Sequence, residues 1–95
     1  MRPRYEDLPG GDLAAAGLRD LASGVESVEA LLVASFAPRL RRLGLDVPAL
    51  AVDDPEQRLY RLLASRHGDA AHSRYNALVR RMVSFARARA SLTHA

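Results

Sequence analysis

Apolar residues recur along this chain at the spacing of helices. Ala14, Leu18, Leu21 and Val25 follow the i, i+4, i+7, i+11 rhythm of one buried stripe. Asp12 precedes that stripe as an N-cap and Gly24 follows it as a stop, which predicts a first helix of about eleven residues. A second helix starts near Ser27, with Glu29 in its first turn and Val28, Leu32 and Phe36 as its stripe. A straight continuation past Pro38 would bring Arg39 into the middle of the stripe. The second helix is therefore expected to kink or break there, with Pro38 opening a short extra turn that ends at Gly44.

The next stretch, 44–52, is a connector, yet Leu45, Val47, Leu50 and Val52 make it apolar, and Pro48 keeps Val47 extended. Such a segment either lies over the core as a lid or serves as an exposed docking strip, and the lid is the favoured reading. Asp54, Pro55 and Gln57 form a strong helix start, an N-cap followed by a proline at the first position. The third helix buries Leu59, Leu62 and Leu63, carries Tyr60 on its edge, and ends at His67 and Gly68. Asp69 is expected to cap a fourth helix from Ala70 to Leu92, about 23 residues or roughly 34 Å long.

These elements predict an all-α fold: one compact single-domain bundle over 1–95, with four main helices, a break at Pro38 and a long C-terminal helix. Residues 1–11 read as an extended lead-in closed by the Gly10-Gly11 turn, and 93–95 as a frayed tail.

The fourth helix has one broad apolar face that includes Leu78, Met82 and Phe85. It outruns the third helix, so Phe85, Ala86 and Ala90 lack an obvious partner within the chain, and Arg89 intrudes into the apolar sector. That combination marks Phe85, Ala86, Arg89 and Ala90 as a candidate homodimer interface. The back of the helix carries small residues flanked by Arg74, Arg80, Arg81 and Arg87, a candidate surface for nucleic-acid phosphates.

Composition changes this picture in two ways. All 14 basic residues are arginine, isoleucine is missing, and alanine and leucine supply about a third of the chain, the bias of a GC-rich bacterial genome. Arginine abundance alone is thus no sign of function. Charge is nevertheless asymmetric: residues 1–57 hold six arginines against ten acids, whereas 58–95 hold eight against Asp69 alone. The basic half can neutralise the acidic half, pair with it across a dimer, or meet a polyanion.

Cysteine is absent, which excludes disulfides and thiol chemistry. No apolar run suits a membrane span, and no apolar segment follows Arg2 and Arg4 as a secretory signal requires, so a cytoplasmic protein is expected. No phosphate loop, dinucleotide fingerprint or serine-nucleophile motif occurs. His67, Asp69, His72 and Asn76 form a candidate polar corner between the third and fourth helices; double helix capping accounts for it, so no metal and no cofactor are expected. Arg61 and His67 share an R-x5-H spacing that resembles small all-α HEPN-type ribonucleases, where the pair would cleave RNA. Arg66 and His72 match it equally, and Arg61 points away from the face that His67 borders. The corner is also similar to a helix-turn-helix, with Arg74 standing where that motif wants an apolar anchor.

The sequence thus favours a non-enzymatic helical protein–protein interaction module that self-associates through its C-terminal helix or binds another protein. The alternative is a nucleic-acid-binding domain built on the arginines of that helix.

Overall fold

The computed structural model describes residues 5–49 and 52–93. Residues 1–4 of the lead-in, Leu50 and Ala51 of the connector, and residues 94–95 of the tail lie outside the described residues. A 3-10 turn at Tyr5–Asp7 leads into α1 (Gly11–Ala22), α2 (Val28–Ser35), α3 (Ala37–Arg42), α4 (Pro55–His67) and α5 (Ala71–Thr93), with a second 3-10 turn at Gly68–Ala70. No strand occurs among the described residues. The expected all-α bundle with a long C-terminal helix is the fold of the chain.

The second helix is interrupted at Phe36, two residues before Pro38. The α2 ladder stops at Ser35, Phe36 joins the two segments, and Pro38 sits in the first turn of α3, where its missing N–H removes no hydrogen bond.

The centre of the fold is α2. Ala30, Leu31, Leu32 and Val33 are all fully buried, so the helix is enclosed on every side and not along one stripe. It packs against α1, α4 and α5, and its composition allows this because Glu29 is its only charged residue. The α1–α2 crossing is close at Gly17, where a Cβ would collide with Val33 Cγ2 and stand 2.5 Å from the Glu29 carbonyl oxygen. The Ser27 hydroxyl fixes the entry to α2: it accepts from the Ala30 N–H at 3.0 Å and donates to Asp20 Oδ2 at 2.6 Å. One side chain therefore caps α2 and ties it to the last turns of α1.

Leu59, Leu63 and Met82 join Leu32 in the buried cluster, as their spacing predicts, while Phe36 and Leu78 pack against it from its edge. The described part of the connector is a lid. Val47 is buried, Leu45 and Val52 lean on the core, and the Arg41 guanidinium donates to the Val47 carbonyl at 2.9 Å.

Two expected caps are corrected. Asp12 does not cap α1. The helix begins two residues earlier at Gly11, after Gly10 at φ 71°, and Asp12 faces Arg81 instead. Asp69 makes no side-chain hydrogen bond, because the 3-10 turn carries the backbone from α4 into α5 and supplies the early hydrogen bonds itself. Asp54 does act as foreseen, its Oδ1 accepting from the Gln57 N–H at 3.2 Å.

The supposed overhang of α5 is also corrected. Phe85 and Ala86 are fully buried within their own chain, and Phe85 belongs to the same core cluster as Leu13, Leu40 and Val47. Gly10 brings the lead-in turn against the Arg81–Phe85 turn of α5. On the other side, Arg89 Nε donates to the Leu43 carbonyl at 3.3 Å, where α3 ends. Its guanidinium thus sits at the negative end of a helix and needs no carboxylate from a second subunit.

Candidate nucleic-acid interface

Arginines dominate the chemistry of the surface, so their partners decide what remains for a ligand. Arg58 pairs with Glu26, and Arg81 with Asp12 at 2.6 Å. Each pair joins the basic C-terminal half to the acidic N-terminal half. The Arg81 hydrogen bond holds the Asp12 carboxyl below its ordinary range. Arg41 and Arg89 donate to main-chain carbonyls. Arg19, Arg39, Arg42, Arg61, Arg66, Arg74, Arg80 and Arg87 make no ion pair or side-chain hydrogen bond among the described residues.

The four candidate phosphate-binding arginines of α5 fall on two flanks of the helix. At 100° per residue Arg74 and Arg81 stand on one flank, next to Leu78, and Arg80 and Arg87 on the opposite flank beyond Val79 and Val83. Arg74 and Arg81 line a cleft of ≈ 380 Å³ between the start of α2, the end of α4 and α5, together with Arg66, His67 and Glu29 over a floor of Leu63, Ala77 and Leu78. Arg80 and Arg87 are exposed on the open side of the helix.

The polar corner comes apart in the same way. His67 turns into the arginine-lined cleft, whereas the His72 ring lies 6.4 Å from the Tyr60 ring. Asn76, like Asp69, makes no side-chain hydrogen bond among the described residues. No three His, Asp or Glu side chains among the described residues stand where they could hold a metal ion. The R-x5-H pairs do not converge either: Arg61 lines a cleft with Glu26, Arg58 and Leu62, on a different surface from His67.

A second feature went unrecognised in the sequence. Two adjoining clefts of ≈ 340 Å³ each meet at Glu56 and Tyr75. Phe36, Pro38, Arg39, Arg42 and Val79 line the first, and Asp54, Gln57 and Tyr60 the second. The Tyr60 and Tyr75 rings meet edge to face at 5.6 Å. Among the described aromatic side chains only Phe85 belongs to the buried core; the other three line these clefts. Tyr60 sits at the edge of its apolar stripe, but Tyr75 falls in the middle of the apolar face of α5, where spacing alone puts it in the core. The arrival of Arg39 and Arg42 beside them was not legible either, because it depends on the direction α3 takes after the break.

The Tyr75 hydroxyl donates to Glu56 Oε1 at 2.6 Å. Burial first, and then this bond to a carboxylate, push its pKa up to about 12. A raised folded-state value favours the protonated phenol. The contribution to stability is present below the unfolded pKa near 10 and is lost as pH rises through about 12. Absorbance at 295 nm is expected to show one tyrosinate that forms only near pH 12, and Tyr75→Phe is expected to remove that step.

No protein-family model, no curated protein and no solved structure matches the chain.

Proposed function

We propose that the protein is a non-enzymatic, cytoplasmic module that binds nucleic acid through phosphate contacts. The observation that carries this reading is the charge left over once the chain has folded. Residues 58–95 carry eight arginines, and among the described residues only Arg58 and Arg81 of these meet a carboxylate. Internal neutralisation therefore accounts for a small part of the basic half. Arg61, Arg66, Arg74, Arg80 and Arg87 remain exposed and unpaired around the C-terminal helices. A polyanion is the ligand that uses such a surface without demanding one deep pocket. Along α5 the small Ser73, Ala77, Ser84, Ala88 and Ser91 let a phosphate backbone approach the arginines on either side.

Self-association is the second reading, and the surface supports it less well. A stable protein interface needs a contiguous apolar centre. Among the described residues the large exposed hydrophobics are Val25, Tyr60 and Leu92, which lie on three different parts of the fold. Of the four residues first considered for a dimer, Phe85 and Ala86 are enclosed and Arg89 is engaged with Leu43. Ala90 stays half-buried.

Arg80→Ala combined with Arg87→Ala tests the phosphate contacts. Fluorescence anisotropy with a labelled oligonucleotide should show affinity falling steeply with salt in the parent protein. The double variant should show a flatter slope, by roughly 0.7–0.9 per lost contact. An unchanged slope, with circular dichroism confirming an intact fold, would remove these two arginines from the interface.

A further inference from the structure

We infer that the preferred ligand is single-stranded, and that the paired clefts around Tyr75 receive its bases. The inference rests on the nucleic-acid reading above and narrows it to one class of strand.

Duplex recognition uses cations and base edges in a groove, whereas single strands are held by aromatic faces beside a cationic track. The clefts carry that second signature. Phe36 and Tyr75 supply ring surface in the first cleft, and Tyr60 continues it in the second. Their placement is notable because the core is otherwise built from aliphatic side chains, with Phe85 the one aromatic fully buried in it among the described residues. Arg39 and Arg42 border the first cleft and have no acid partner among the described residues, so both are available to phosphates.

The polarity of the clefts separates two jobs. Arginines lie at the α3 end, while Asp54, Glu56 and Gln57 lie at the α4 end. Phosphates belong at the first end. At the other, Glu56 offers a carboxylate to the amino groups that an unpaired base exposes and a duplex hides. Its Oε1 is already held by Tyr75, which fixes the carboxylate beside the ring it serves. The strand continues from there along the Val79 and Val83 side of α5, the flank nearer Arg80 and Arg87 than Arg74 and Arg81.

The test compares oligothymidylate and oligoadenylate of about 15 nucleotides with a duplex of the same length, by anisotropy at about 50 mM salt. The chain has three tyrosines and no tryptophan, so quenching of its intrinsic emission reports on stacking directly. Single strands should bind at least about tenfold more tightly than duplex and quench the emission. Tyr75→Leu should weaken single-strand binding by about 5- to 150-fold, the range for loss of one stacking platform. Tyr75→Phe, which keeps the ring but frees Glu56, should weaken it less than Tyr75→Leu does. Because Tyr75→Leu also touches packing, Arg39→Ala with Arg42→Ala provides a surface variant that should weaken binding and leave the melting temperature in place. Equal affinity for duplex and single strand, without quenching and without effect of either variant, overturns this inference and leaves the basic-surface reading standing. Absence of binding to all three probes overturns both.

Discussion

Phe85→Ala is expected to lower the unfolding free energy by about 3–5 kcal/mol, the range for removing a buried phenyl ring. A chain of this length has roughly 5–14 kcal/mol in total, so the variant should lose a large share of its stability. The ring is fully buried, in the cluster that includes Leu13, Leu40 and Val47. That cluster draws on all five helices and the connector lid. Removal of the ring leaves a cavity that no single element can close without leaving another. Urea unfolding measures the effect. A loss below about 1 kcal/mol, together with a change in solution mass, would return Phe85 to a subunit interface.

Gly10→Ala is expected to cost about 2–5 kcal/mol, from two additive sources. Gly10 has φ 71°, where an L-residue is strained by roughly 1–2 kcal/mol. A Cβ would also collide with the Arg81 carbonyl oxygen and lie 3.3 Å from Phe85 Cβ. The obstacle is helix backbone, which cannot rotate aside, so the lead-in turn and α5 must separate. That separation would uncover Phe85 and stretch the Asp12–Arg81 pair. Gly24→Ala supplies the control, because Gly24 has φ 72° and nothing within 4 Å of the added atom. It should show the backbone strain alone. Equal losses in the two variants would mean that the contact between Gly10 and α5 contributes nothing.

The local rules of the chain were legible because they depend on residues a few positions apart. The Asp54-Pro55 start, the stop at Gly68 and the break next to Pro38 all follow from backbone geometry that neighbours impose. The errors arose where a distant segment changed the local answer. Asp12 had the right type for a cap, but the contact of the Gly10 turn with α5 set the helix start and gave Asp12 to Arg81. The spacing leaves Phe85 uncovered because helix lengths alone cannot place the lead-in turn against it. Arg89 was read as an intruder for the same reason, since its partner Leu43 lies 46 positions away.

The candidate site was legible only in part. The charge asymmetry is a property of the sequence and survives folding. Its arrangement is not: periodicity divides Arg74 and Arg81 from Arg80 and Arg87, yet only the packing of α2 and α4 turns the first pair into a cleft wall. The aromatic clefts required three elements in register and could not be read from any one of them.

The central claim is that the unpaired arginines meet a polyanion and not a second copy of the chain. Sedimentation velocity of the protein, alone and with a single-stranded oligonucleotide, at about 50 and 200 mM salt tests it most directly. The account predicts a mass near 10.4 kDa for the free protein at both salts. It also predicts a complex at low salt that dissociates at the higher one. A free protein that sediments at twice that mass, with no complex at either salt, would contradict it.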